Sequence, residues 1–68
     1  MPHINLTQTY TIAAETIEIV RRIEHNGKPG VELWHKRTDL PASYFWEDEA
    51  LEAWRNWQAY MRKVEGEN

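Results

Sequence analysis

Thr16-Ile17-Glu18-Ile19-Val20-Arg21-Arg22-Ile23-Glu24-His25-Asn26-Gly27-Lys28-Pro29-Gly30-Val31-Glu32-Leu33-Trp34-His35-Lys36-Arg37 sets two β-rich runs on either side of a cluster of turn residues. Asn-Gly takes positive φ at little cost, Pro29 fixes its own φ, and Gly30 tolerates what remains. The arm before the cluster is rich in β-branched residues, and the arm after it alternates apolar with polar. Two such runs across a Gly-containing loop predict a β-hairpin centred on residues 26–30. The first arm also allows a helix, because Ile12, Thr16, Ile19, Val20 and Ile23 stand at helical spacing and Asn26-Gly27 could cap its end. The strand is preferred, since β-branched side chains lose χ1 freedom in a helix and pack well on a sheet.

Symmetric pairing about a five-residue loop places Ile23 opposite Leu33, Arg22 opposite Trp34 and Arg21 opposite His35. One face then carries Ile17, Ile19, Ile23, Val31 and Leu33. The other carries Glu18, Arg22, Glu24, Glu32, Trp34 and Lys36, with Trp34 outward between two cations. A slip of one residue would turn Trp34 into the core. Upstream, Tyr10 and Ile12 alternate with threonines, which suggests a further strand over residues 6–12.

Downstream the pattern changes period. Asp39-Leu40-Pro41-Ala42-Ser43 reads as a turn, because proline disfavours helical geometry in the residue before it. From Glu47 onward, Ala50, Leu51, Trp54, Trp57, Met61 and Val64 recur at intervals of three and four, the mark of an amphipathic helix. Acids in its first turn and Arg62 with Lys63 in its last suit the helix dipole, and Gly66 ends it. The expected fold is a single α+β domain: a small antiparallel sheet of two or three strands packed against one C-terminal helix.

Composition narrows the function. The chain is 41% hydrophobic and 28% charged, as a soluble globular domain is, and no apolar run is long enough for a membrane helix. Its start has no basic segment followed by an apolar one, so the expected location is cytoplasmic. There is no cysteine, hence no disulfide to reinforce a small core. Four tryptophans fill that need, and tryptophan is equally the residue most enriched at binding hot spots. Net charge is −3, but residues 21–37 hold five cations against two acids while both flanks are acidic.

Chemistry-bearing motifs are absent. His3, His25 and His35 have no metal-ligand spacing. The acids from Glu47 to Glu52 are explained by the helix start, Ser43 belongs to no nucleophile motif, and Asn-Gly-Lys-Pro-Gly departs from the phosphate-binding loop. No enzyme, cofactor or metal is therefore expected. Trp34 with Leu40-Pro41-Ala42 is similar to a stretch of the MbtH-like proteins, but their Trp-Thr-Asp-x-Arg-Pro ending is missing and no property is carried over.

Two functions fit. The first is a small interaction module, on the scale of phage accessory or inhibitor proteins, that docks on and modulates a larger protein through Arg22, Trp34, Lys36, Tyr44, Trp46 and Tyr60. The second is a nucleic-acid-binding hairpin using Arg21, Arg22, Lys28, Trp34, Lys36 and Arg37. The acidic remainder of the chain favours the first. A homodimer is compatible with either.

Overall fold

A computed structural model describes residues 2–66. Strands β1 (His3–Thr7) and β2 (Tyr10–Ala13) form one antiparallel hairpin. A 3-10 turn, Ala14–Thr16, leads into β3 (Ile17–His25), β4 (Lys28–His35) and β5 (Ser43–Trp46), an antiparallel sheet in the order β3-β4-β5. Helix α1 (Asp48–Glu65) follows and packs against β1, β4 and β5. The α+β arrangement is the one the sequence patterns indicate, enlarged by the amino-terminal hairpin. Residues 6–12 are not one strand: Gln8 and Thr9 form a turn, and Tyr10 and Ile12 belong to the returning arm.

The central turn is shorter than expected. Asn26 (φ 54°) and Gly27 (φ 78°) form a two-residue connection, and His25 pairs directly with Lys28. Two successive positive φ values match the right-handed twist of the strands they join, which is why Asn-Gly is favoured there. The register therefore differs by three residues: Ile23 faces Gly30, Arg22 faces Val31, Arg21 faces Glu32, Val20 faces Leu33 and Ile19 faces Trp34. Pro29 lies within the strand. It follows the turn-closing pair, so its nitrogen points away from β3, toward a flank that β5 leaves unpaired beyond Gly30. Its carbonyl accepts a hydrogen bond from the Glu47 N–H at 2.8 Å.

This register redistributes the faces. Val31 and Leu33 remain in the core, joined by Phe45 and Ile17. An irregularity between Ile17 and Ile19 turns those two residues to different sides, so Ile17 is buried and Ile19 exposed. Arg22 and Glu24 take the helix side, while Ile19, Arg21 and Ile23 share the opposite side with Glu32 and Trp34, as the pairing and the alternation of a strand require.

Across the core lies the helix, whose most buried residues are Ala50 and Ala53. Their small side chains let the backbone approach the sheet, and Trp54, Trp57 and Tyr60 pack around them, half-buried. The inward stripe is rotated from the expected one: Leu51 and Val64 are exposed. Leu6, Ile4 and Ile12 of the first hairpin complete the core, and the Asn56 amide donates to the Leu6 carbonyl at 3.0 Å.

Candidate interaction surface

With α1 on one side, the sheet's other side is open among the described residues. Its side chains come from alternate positions: Ile19, Arg21 and Ile23 on β3, Glu32 and Trp34 on β4, Tyr44 and Trp46 on β5. Ile19 is 50% exposed, Trp34 41%, Tyr44 47% and Trp46 38%. Four large hydrophobic residues gather on one side of a three-stranded sheet, Ile19 beside Trp34 and Tyr44 beside Trp46. Scattered exposed apolar residues are ordinary on a soluble domain, whereas a contiguous patch marks an interaction site.

A polar centre orders this surface. Glu32 is only 7% exposed although it lies on the open side, because its neighbours close over it. The Arg21 Nε donates to Glu32 Oε1 at 2.5 Å, and the Tyr44 hydroxyl donates to Oε2 at 3.0 Å. The Trp34 indole N–H acts on the same carboxylate most strongly, followed by Arg21, and together with Tyr44 they hold its pKa below the usual glutamate range. The Tyr44 phenol is raised above its ordinary value, chiefly by donating to Glu32, with desolvation adding to the effect. One carboxylate on β4 thus holds a side chain from each neighbouring strand, Arg21 on β3 and Tyr44 on β5, and so pre-orients the Tyr44 ring.

The remaining aromatic, Trp46, is seated by a glycine. A Cβ on Gly30 would come within 2.6 Å of the Trp46 ring and 3.1 Å of Ile23. Only a residue without a side chain lets the indole lie on the strand at this point. Tyr44 stacks alongside it, with ring centroids 6.2 Å apart and an interplanar angle of 8°, and His25 flanks its other side at 6.0 Å.

Beside Trp34 the surface deepens into a groove of about 520 Å³, whose lining includes Ile19, Trp34, Leu40, Arg21, Lys36 and Arg37. Charge in this groove is largely compensated. Arg21 is paired with Glu32, and Arg37 makes a two-pronged contact with Asp39 at 3.1 and 2.6 Å. Lys36 is anchored by its backbone N–H, which donates to the Thr16 carbonyl at 2.9 Å.

The expected site residues are therefore only partly brought together. Trp34, Tyr44, Trp46 and Lys36 lie on or beside the open side. Arg22 stands on the helix side, its guanidinium 5.9 Å from the centre of the Trp54 ring. Tyr60 is half-buried on α1, stacked on Trp57 at 5.9 Å. Lys28 sits at the hairpin tip. Ile19 was expected on the side away from Trp34, and Arg21 was not expected on a protein-docking surface; the Asn26-Gly27 signal, taken as a two-residue turn, would have placed both beside Trp34, on the side where Glu32 was already expected.

A further cluster joins the two sheets. Ser43 Oγ lies 3.3 Å from His35 Nε2 and 3.2 Å from the Tyr10 hydroxyl, and Tyr10 meets Phe45 edge-on at 5.1 Å. This chain of contacts ties β2 to β4 and β5, a bracing role.

The chain matches no protein-family model, no curated protein and no solved structure. The functional reading therefore rests on the geometry.

Proposed function

We propose that this protein is a small non-catalytic interaction module that docks on a larger protein through the open side of its three-stranded sheet. The observation that carries this reading is the union of Trp34, Tyr44 and Trp46 on one side, with Tyr44 held by Glu32 and Trp46 seated on Gly30. Rigid, partly exposed aromatic side chains in a shared patch are the usual anchors of protein interfaces, because they bury much area with little entropy left to lose.

A nucleic-acid platform is the alternative, since bases stack on aromatic side chains displayed by a sheet. The charges weigh against it. Of five hairpin cations, Arg21 and Arg37 are held by carboxylates and Arg22 lies on the helix side. Lys28 and Lys36 remain, eight positions apart along the strand, or roughly 26 Å at 3.3 Å per residue. A buried carboxylate at the centre of the platform would also repel phosphate.

Titration with short single- and double-stranded DNA and RNA at about 50 mM salt, where screening is weak, tests the choice. Weak binding is expected for every oligonucleotide. Tight binding whose log affinity falls with log salt by roughly 0.9 per phosphate contacted would overturn the protein-docking reading.

A further inference from the structure

Asn26 and Gly27 make the two-residue turn at the tip of the β3–β4 hairpin, and both are exposed. Asparagine followed by glycine is a pair prone to losing the side-chain amide, because the next backbone nitrogen is the attacking atom and glycine sets no side chain beside it. The surroundings decide whether that attack occurs in a folded chain. Among the described residues, neither the Asn26 amide nor the Gly27 N–H makes a hydrogen bond. A Cβ on Gly27 would meet nothing within 4 Å, so the ring that the attack closes has room.

The other two asparagines of the described residues are held. Asn5, on β1, accepts from the Thr11 hydroxyl at 2.6 Å and is followed by the fully buried Leu6. Asn56 donates to the Leu6 carbonyl at 3.0 Å, and the nitrogen after it belongs to Trp57, inside α1. In both places the amide is engaged, and the next nitrogen carries a large side chain fixed in regular structure.

We propose that Asn26 is a site of spontaneous covalent modification, and that its isoaspartate product unseats Trp46. The Gly27 nitrogen bonds to Cγ of Asn26 as its proton passes to water. The Cγ–Nδ2 bond breaks, and Nδ2 takes a proton from solvent and leaves as ammonia. Water then opens the cyclic imide. Addition at Cγ gives aspartate, and addition at the backbone carbonyl carbon gives isoaspartate, whose main chain runs through Cβ and Cγ. The conversion consumes water, releases ammonia and involves no oxidation.

The two products act differently on the hairpin. Aspartate leaves the backbone unchanged and is itself favoured before glycine in this turn. Isoaspartate adds a methylene to a connection that His25 and Lys28 close over two residues, so the turn and that pairing no longer match. This end of the hairpin seats Trp46. The His25 ring lies 6.0 Å from the indole, Gly30 lies beneath it, and the Pro29 carbonyl holds the Glu47 N–H at 2.8 Å. The modification needs no partner and does not depend on the docking reading.

Incubation of the purified protein in mildly alkaline buffer tests this, with peptide mapping by mass spectrometry and near-ultraviolet circular dichroism at intervals. Asn26 should convert at least about tenfold faster than Asn5 or Asn56, since only there can the attacking atom reach its target freely. As isoaspartate accumulates, the spectrum should move toward that of Trp46→Ala. Freshly prepared Asn26→Asp should keep the wild-type spectrum. Asn26→Gly, a pair this turn also accepts, should keep its spectrum throughout. Asn26 left intact or converted no faster than Asn5 and Asn56 would overturn the proposal. So would an unchanged spectrum in the isoaspartate fraction, or an equal spectral change in Asn26→Gly. Mapping and spectra of the wild type need no variant of the turn, so the test stays decisive if Asn26→Gly fails to fold.

Discussion

The two sides of the three-stranded sheet are built by opposite means. Under the helix, Val31, Leu33 and Phe45 are buried against Ala50 and Ala53, where small helix residues admit close approach and aliphatic side chains fill the space. On the open side, large aromatic residues remain half in water and are held by a carboxylate and a glycine. Burial does the work on the first side. Orientation does it on the second, where the contacts of Arg21 and Tyr44 with Glu32 link all three strands. The covered side accounts for folding, and the open side is the one we propose for docking.

Adjacent residues test that division most sharply. Leu33 is fully buried and Trp34 is 41% exposed, on opposite sides of the same strand. Leu33→Ala should cost about 2–5 kcal/mol, enough to unfold much of a domain this small, and Trp34→Ala less than about 1 kcal/mol. Denaturant titration of both variants checks the pair. Equal losses would mean that the open side is structural too.

Gly30 is the next largest effect. Gly30→Val drives a branched side chain into the Trp46 ring, and overpacking of this kind costs about 1–3 kcal/mol. Its near-ultraviolet circular dichroism should lose the tryptophan signature that Trp34→Ala retains at Trp46. A Gly30→Val protein with both stability and spectrum unchanged would show that Trp46 is not seated on the strand.

Glu47 supplies a change of the other sign. It begins α1 with φ 55° and ψ −126°, a conformation suited to glycine. Glu47→Gly is expected to stabilise the protein by about 1 kcal/mol, raising the melting temperature without altering the open side. Destabilisation would mean that the glutamate side chain contributes something the backbone does not reveal.

The smallest effect concerns pH. Glu32 has its pKa lowered in the folded state, so its contribution to stability is fully present above the ordinary glutamate pKa of about 4.3 and is lost as pH falls through the folded value. Wild-type stability should therefore decline with acid more steeply than that of Glu32→Gln, and the two curves should converge. Tyr44 acts in the opposite direction at the alkaline end. Its raised pKa keeps the hydrogen bond to Glu32 at neutral pH, and that contribution is lost as pH rises through the folded value. Parallel acid limbs for wild type and Glu32→Gln would show that the carboxylate does not order the surface.

Much of this fold was legible in the residues. The helix follows from three- and four-residue spacing, the hairpin from Asn26-Gly27, and Trp34's outward direction from the alternation around it. The register was not legible, because Pro29 and Gly30 read as loop residues. Their place inside β4 depends on where β5 stops and on the Trp46 ring that Gly30 admits, both of which are tertiary facts. The rotation of the helix was hidden for a similar reason. Counting large apolar side chains points to Leu51 and Val64, whereas close approach to a sheet selects Ala50 and Ala53. Of the candidate surface, the aromatic members were visible in composition. The Arg21–Glu32–Tyr44 centre required the register, because three residues on three strands meet only when both pairings are known.

Affinity capture from an extract of the source cells, with immobilised protein and nuclease treatment, tests the division of the two sides most directly. Trp34→Ala and Tyr44→Ala truncate the open side, and Leu51→Ala removes an equally exposed apolar side chain from the helix. Each variant is first shown to be folded. The expected result is a protein retained by wild type and Leu51→Ala and lost from both open-side variants, because aromatic anchors carry most of the binding energy at an interface. Retention by Trp34→Ala and Tyr44→Ala with loss from Leu51→Ala would contradict the account and move the docking surface to the helix.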